Sequence, residues 1–188
     1  MNMHVNTCPS LETSRLILRK LSLTDADELF EVFSDEKTTH HVPREKHMDK
    51  SATVAHIENL IKGINENKSF VWSVISKNEK RVIGTVSLHF KPDRVASIGA
   101  VIQSKYWGQG IATEALREII HFGFDTIQLI RIEGKCESNN KASENVIKKL
   151  GMTYEGTLRK EVIIKGKSRD AKVYSLLSEE YKTLQENM

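Results

Sequence analysis

The chain has 188 residues, of which 39% are hydrophobic and 28% charged, and its formal net charge is +3. A chain of this length buries roughly 70% of its unfolded surface, enough for a core without disulfide or metal staples, and suits one domain spanning residues 1–188. No apolar run reaches the ~18–20 residues of a membrane span, the start MNMHVNTCPSLETSR lacks a basic-then-apolar leader pattern, and a spread-out +3 is too weak to argue for nucleic acid, so the expected setting is the cytoplasm.

Arg15 to Arg19 (R-L-I-L-R) alternates as a first strand. Thr24 is expected to cap a helix in which Ala26, Leu29, Phe30 and Phe33 follow helical spacing. Residues 34–50 are polar, contain Pro43 and read as a long loop. A helix follows Asp49 or Ser51, with Val54, Ile57, Leu60, Ile61 and Ile64 on one stripe. Three strands are expected at Phe70–Ile75, Arg81–Phe90 and Ala96–Ile102, joined by the hairpin turns 77–80 and 91–94. Ser104 to Gly110 then leads into a helix carrying Ala112, Leu116, Ile119, Ile120 and Gly123. Ile127–Cys136 reads as a strand with Arg131, Glu133 and Lys135 outward. Asn140 can cap a helix bearing Ala142, Val146, Ile147 and Leu150, and Gly151 stands where a helix C-terminus wants a left-handed residue. Two strands, Thr153–Ile164 and Ala171–Leu177, close the pattern around the turn 165–168. This order predicts an α+β, or mixed α/β, fold.

Cys8 and Cys136 are far apart and lack metal-ligand spacing. Cys136 ends an apolar run and reads as a small buried hydrophobe rather than a disulfide partner or nucleophile. His40, His41 and His47 crowd one polar segment without ligand spacing, so the plainer reading is a solvated loop beside a pocket; no metal is expected.

The informative stretch is Lys105-Tyr106-Trp107-Gly108-Gln109-Gly110-Ile111-Ala112-Thr113, which follows a strand and opens a helix. Glycines at such a turn let backbone N–H groups converge, and the helix start adds unpaired N–H groups and a positive dipole end. That suits a pyrophosphate. The third glycine of a dinucleotide fingerprint and the GK[ST] of a P-loop are both missing. Asn140-Lys141-Ala142-Ser143 opens the next helix just after the following strand. Two adjacent strand–helix units of this kind would part at their C-terminal ends and form a crevice.

These residues, with Glu12-Thr-Ser-Arg-Leu-Ile-Leu-Arg19, Val82-Ile-Gly84, Ile98-Gly-Ala-Val101, Tyr106-Trp-Gly-Gln-Gly-Ile-Ala-Thr-Glu-Ala-Leu116, Lys149-Leu-Gly-Met152, Glu155-Gly156 and Arg169-Asp170 through Tyr174-Ser-Leu-Leu177, resemble a GCN5-related N-acetyltransferase. The resemblance covers nearly the whole chain and is closest to the branch of ribosomal-protein N-terminal acetyltransferases. It implies a mixed, mostly antiparallel sheet flanked by helices and splayed between its fourth and fifth strands, with acetyl-CoA in the wedge. The pyrophosphate would meet the backbone of Gly108, Gln109, Gly110, Ile111 and Ala112, with Thr113 also in the cofactor site. The pantetheine would run along Ala100, Val101 and Ile102 and bond Asn140, while Ser143 would contact the cofactor near its sulfur.

Catalysis by such a protein needs a base for the amine and an acid for the departing thiolate. The family's usual tyrosine acid falls at Ile147, which lies on an apolar stripe, so Ser143 is the expected donor, with helix capping as its plainer role. The usual glutamate base falls at Ser97, which leaves His89 on the preceding strand as the candidate base, although it also reads as an ordinary exposed strand residue. Lys105 replaces the usual first motif residue. Asp170 and Tyr174 are expected to shape the acceptor site, and Trp72 and Trp107 to pack. The implied reaction is acetyl transfer from acetyl-CoA to a primary amine, either a protein N-terminus or a small amine or polyamine. The alternative is a CoA-binding sensor or scaffold with little turnover. A homodimer is compatible with the family. Specificity is expected from residues 38–47 and 165–168. Between Arg131 and Lys172 basic residues outnumber acidic ones eleven to six, an excess expected to line the cofactor crevice.

Overall fold

The computed structural model describes residues 7–186; the first six residues of the stretch read for a leader lie outside them. Eight strands form one sheet: β1 (Leu11–Glu12), β2 (Leu16–Lys20), β3 (Ser69–Ser76), β4 (Arg81–Lys91), β5 (Val95–Ile102), β6 (Arg131–Glu137), β7 (Thr153–Ile164) and β8 (Lys167–Leu177). Their order across the sheet is β1-β2-β3-β4-β5-β6-β8-β7. All neighbours are antiparallel except β5 and β6. The fold class read from the sequence is therefore the one observed. The two-residue β1 shifts the strand count by one, so the expected fourth and fifth strands are β5 and β6.

The helices are α1 (Ala26–Ser34), α2 (Glu36–Thr39), α3 (Lys50–Asn65), α4 (Ile111–Asp125), α5 (Lys141–Lys149) and α6 (Ser178–Glu186). Alternation along β3 shows how they divide between the two faces. Trp72 is fully buried and meets Phe122 of α4 edge-on, with ring centroids 6.0 Å apart. Its neighbour Ser73 points to the opposite face and donates to Asp25 at the start of α1 over 2.5 Å. Asp25 also takes Arg19 and the Ser22 N–H, so this nearly inaccessible carboxylate ties β2, β3 and α1 together. Burying Leu16, Leu18, Leu29, Phe33, Phe70, Trp72, Leu88, Ile119 and Ile132 supplies the main driving force, roughly 1.5–3 kcal/mol per large side chain.

Several local expectations need correcting. Ser22, not Thr24, caps the turn before α1, through a capping box with Asp25. The expected loop 34–50 contains α2, because Asp35 accepts from the N–H groups of Lys37 and Thr38. Asp49 caps α3 as expected. β6 begins at Arg131 rather than Ile127, after Gln128 takes a positive φ of 62°. β8 begins at Lys167, leaving Lys165 and Gly166, at φ 48° and 71°, as a two-residue turn. α6 was not foreseen: its polar, Glu-rich sequence carries a single buried anchor, Tyr181, stacked on Phe124 at 4.8 Å. Trp72 packs in the core as expected, but Trp107 is 42% exposed. Cys8 and Cys136 are both buried and free, and burial pushes the Cys8 thiol up to about 12.

Candidate active site

The wedge is defined by where pairing stops. β5 and β6 are in register from Val95 with Arg131 to Ile98 with Gly134, and no further. On its other side β5 stays paired with β4 along its full length, Gly84 opposite Ile102. Hydrogen-bond parity then decides which groups face the opening. The Gln103 N–H donates to Ile83 O, so odd-numbered residues of β5 spend their backbone groups on β4. Arg94 O accepts from the Ile130 N–H on the β6 side, so even-numbered residues face the wedge. Of the stretch singled out for an extended ligand arm, Ala100 and Ile102 present backbone groups to the opening, while those of Val101 belong to the β4 pair. Ala100 is exposed, as an unpartnered strand edge requires.

The glycine turn lies at the mouth of this wedge. Gly108 and Gly110 adopt φ of 76° and 77°, the left-handed region that glycine occupies without a Cβ penalty. A Cβ built on Gly108 meets nothing within 4 Å. The N–H groups of Gly108, Gln109, Gly110, Ile111, Ala112 and Thr113 find no acceptor among the described residues; the ladder resumes where Glu114 N–H donates to Gly110 O. A run of unpaired donors at a positive helix end matches the requirement of a polyanion. The turn is clamped from behind by a pair not anticipated from the sequence. Arg15, just before β2, bonds Gln109 O at 2.9 Å and lies 2.5 Å from the Glu114 carboxylate, which also accepts from Thr13 and the Arg15 N–H. Burial raises the Glu114 pKa, but these donors outweigh it and hold the carboxyl below its ordinary value. Both residues stand in the motif stretches, yet 99 positions separate them and no spacing rule joins them.

At the other wall, Asn140 caps α5: its Oδ1 accepts from the Ser143 N–H at 3.0 Å. Its Nδ2 and the Ser143 hydroxyl have no hydrogen-bond partner among the described residues, and both side chains are half-buried. Ile147 is buried; a Cβ built on Gly134 would lie 3.5 Å from it, which places it in the core beneath the wedge. The next residue after Ser143, Glu144, is held by Lys172, Lys148, Lys141 and the Tyr174 hydroxyl, and these donors drive its carboxyl far below the ordinary range. Tyr174 thus anchors α5 from behind. Asp170 accepts from the Lys160 N–H within the last hairpin.

His89 lies opposite Ser97, within the stretch where β5 still pairs with β6, and its Nε2 is 2.9 Å from Ser87 Oγ. Partial withdrawal of its ring from water lowers its pKa, although the residue as a whole is exposed. At the open end lies a cavity of about 490 Å³ lined by Asp35, Glu36, Lys37, His40, His41 and Trp107. Trp107 Nε1–H donates to Ile102 O at 2.7 Å, fixing one side of the cavity to the end of β5. His41 Nδ1 is 2.5 Å from Glu137 Oε2, fixing the other side to the end of β6. The Ser104 N–H donates to Thr38 Oγ1 at 2.8 Å, which fastens α2 to the same mouth. Burial pushes Asp35 up, but hydrogen bonds from Ser104 and Thr38 leave it below its ordinary value. Lys165 and Lys46 bond Glu36 and hold it down at about 2. Two ionised carboxylates therefore border the cavity.

Part of the basic excess after Arg131 is consumed in ion pairs: Arg131 with Glu133 and Glu155, Lys135 with Glu161, Lys165 with Glu36, and three lysines on Glu144. Beside the glycine turn a second hollow, about 350 Å³, is bordered by Arg15, Arg117 and Lys149 together with Gly110 and Thr113. Among the described residues no group of three or more His, Cys, Asp or Glu is placed to hold a metal, and no helix is long and apolar enough to cross a membrane.

Residues 15–153 match the family model of the acetyltransferase (GNAT) domain. The chain is 34% identical over 178 residues to the uncharacterised N-acetyltransferase p20 of Bacillus licheniformis, covering 92% of this chain and 98% of that protein. The crystal structure of a GNAT-family acetyltransferase from Bacillus anthracis superposes with a TM-score of 0.81 at 26% identity, over 91% of this chain and 99% of the other. The ribosomal-protein-S5-alanine acetyltransferase of Vibrio fischeri superposes with a TM-score of 0.80 at 25% identity, over 92% and 98% of the two chains.

Proposed function

The chain belongs to the GNAT family of acetyl-CoA-dependent N-acetyltransferases, and on that premise we propose that it acetylates a primary amine held in the cavity across the mouth of the wedge. The observation that carries this reading is the coincidence of six unpartnered N–H groups, Gly108 to Thr113, with a strand edge open at Ala100 and at the Ile102 N–H. The first can hold a pyrophosphate and the second an amide-bearing arm, so the residues present fit acetyl-CoA, whose thioester supplies the activated acetyl group. Arg117 and Lys149, bordering the hollow beside the turn, offer further positive charge to a phosphate.

Asn140 Nδ2 donates to the ligand arm while its Oδ1 remains the helix cap. An Ala100 or Ile102 N–H polarises the thioester carbonyl, the preorganised stabilisation that acyl transfer requires. Ser143, with a free hydroxyl at the positive end of α5, passes a proton to the departing sulfur. His89, the base candidate from the sequence, lies on the sheet face at the closed half of the wedge. The ionised Asp35 and Glu36 favour an acceptor that arrives as a cation. A protein N-terminal amine is the leading acceptor, in keeping with the Vibrio fischeri relative's S5-alanine activity, and a polyamine or other small amine comes next.

The test is thiol release from acetyl-CoA across a panel of amines, beside a thermal-shift titration with CoA. Amine-dependent release with CoA stabilisation is expected. Stabilisation without release from any amine would favour a CoA sensor, and no stabilisation at millimolar CoA would defeat both readings.

A further inference from the structure

His41 and Glu137 are 96 residues apart in sequence, yet the fold brings the imidazole onto the carboxylate at the open end of the wedge. Glu137 is the last residue of β6, and only 7% of its side chain is accessible. Its other oxygen lies 3.8 Å from Arg169 Nε on β8, so both oxygens face basic side chains. With Nδ1 turned onto the carboxylate, Nε2 is the ring nitrogen left to meet a ligand. That nitrogen makes no hydrogen bond among the described residues, and the ring lines the cavity whose opposite side is fixed to the end of β5. An imidazole oriented by a buried carboxylate, with its second nitrogen unengaged beside a cavity, has the arrangement of a general base.

We propose that His41 takes the proton from the acceptor amine, with Glu137 as its positioning residue; the assignment rests on the acetyltransfer reading above. The bound ammonium gives one proton to His41 Nε2. The freed nitrogen lone pair forms the C–N bond to the thioester carbonyl carbon, and the C–S pair leaves with sulfur. A second proton from the nitrogen reaches the thiolate through Ser143 or water. His41 then returns its proton to solvent, so the products are the amide, free CoA thiol and one proton. The charged groups around His41 are Glu137 and Arg169 from β6 and β8, His40 at 4.6 Å between ring centroids, and Asp35, Glu36 and Lys37 across the cavity, with Lys46 and Lys165 on Glu36. His89 lies on the closed half of the wedge, so the geometry favours His41 for this role.

The test compares wild type, His41→Gln, Glu137→Gln and His89→Ala. Each is assayed with acetyl-CoA and a peptide bearing a free N-terminal alanine, spermidine or an aminoglycoside, across about pH 5.5 to 9, the span over which a histidine changes charge. His41→Gln should lower kcat/KM about 100-fold or more and abolish its rise with pH, while the CoA-induced thermal shift stays at the wild-type value. Glu137→Gln should lower kcat less than His41→Gln does while leaving KM and the CoA-induced thermal shift at their wild-type values, because the imidazole loses the carboxylate that orients it. His89→Ala should keep the wild-type profile. A His41→Gln protein within about threefold of wild type at every pH would overturn the proposal, as would a loss confined to KM with the profile intact, since general-base catalysis contributes at least ~10²-fold. Wild-type protein that binds CoA but acetylates none of the three amines would overturn the acetyltransfer reading, and this assignment with it.

Discussion

Two glycines with the same backbone strain but different surroundings separate folding from ligand binding. Gly108 has φ 76° and Gly166 has φ 71°, and a Cβ on either meets nothing within 4 Å. Placing a non-glycine residue in the left-handed region costs about 1–2 kcal/mol, with β-branched valine at the upper end. In a chain of this size 1 kcal/mol shifts Tm by about 2–4 °C, so Gly108→Val and Gly166→Val should each lower the ligand-free Tm by roughly 2–8 °C. Their responses to CoA should differ. A ligand at about 100 times its Kd stabilises by about 2.7 kcal/mol, a rise of roughly 5–10 °C for wild type and for Gly166→Val. In Gly108→Val the isopropyl group projects from the turn that carries the six unpartnered N–H groups, into space a ligand held there would need. If Kd rises about 100-fold, the same CoA concentration stabilises by only about 0.4 kcal/mol, close to 1 °C. Differential scanning fluorimetry with and without CoA, supported by calorimetric titration, reads both effects. A wild-type CoA response in Gly108→Val, or an equal loss in Gly166→Val, would refute the placement of the phosphates at this turn.

Gly84→Ala tests the wall of the wedge: its Cβ would lie 2.2 Å from Val101 O and 2.9 Å from Ile102 Cα, both backbone atoms. Overpacking of this kind costs about 1–3 kcal/mol, so a Tm loss of roughly 2–12 °C is expected together with weaker CoA binding, and a fully stable variant with normal affinity would contradict the close strand approach. Ser143→Ala should cut kcat about tenfold or more while leaving the CoA Kd within about twofold, and a wild-type rate at saturating substrates would remove the hydroxyl from the mechanism. Burial, then Arg44 and His47, lower the His56 pKa to about 4, below the ordinary value of 6.5. Between those values the unfolded chain binds a proton that the folded chain refuses, so stability should fall as the pH drops from 6.5 toward 4. His56→Gln should flatten that part of the Tm–pH curve; an unchanged slope would show that other groups set it.

What was legible in the sequence was local. The glycine pair before an apolar helix stripe, Asn140 at a helix start and the alternating strands each encode their structure within a few residues, because capping, periodicity and left-handed φ are short-range properties. The family resemblance implied a wedge between the fourth and fifth strands, and in the fold the pairing of β5 with β6 stops after Ile98. Ile147 was correctly assigned to the core by its stripe. Trp107 was misjudged, because an aromatic residue next to a glycine turn packs only if something covers it; here it leans across to Ile102 O and lines a cavity instead.

The tertiary structure decided everything that depends on long-range pairing. Sequence named Ala100, Val101 and Ile102 alike, but hydrogen-bond parity with β4 selected Ala100 and Ile102 as the residues whose backbone faces the wedge. The Arg15–Glu114 clamp, the His41–Glu137 pair and the Lys165–Glu36 bond join residues 99, 96 and 129 positions apart. Nothing in local propensity marks such partners. They meet because the sheet brings the start of β2, the end of β6 and the tip of the last hairpin to the same end of the molecule. The sequence thus marked the glycine turn and helix start that carry the unpaired N–H groups; only the fold determined which side chains line the cavity beside them.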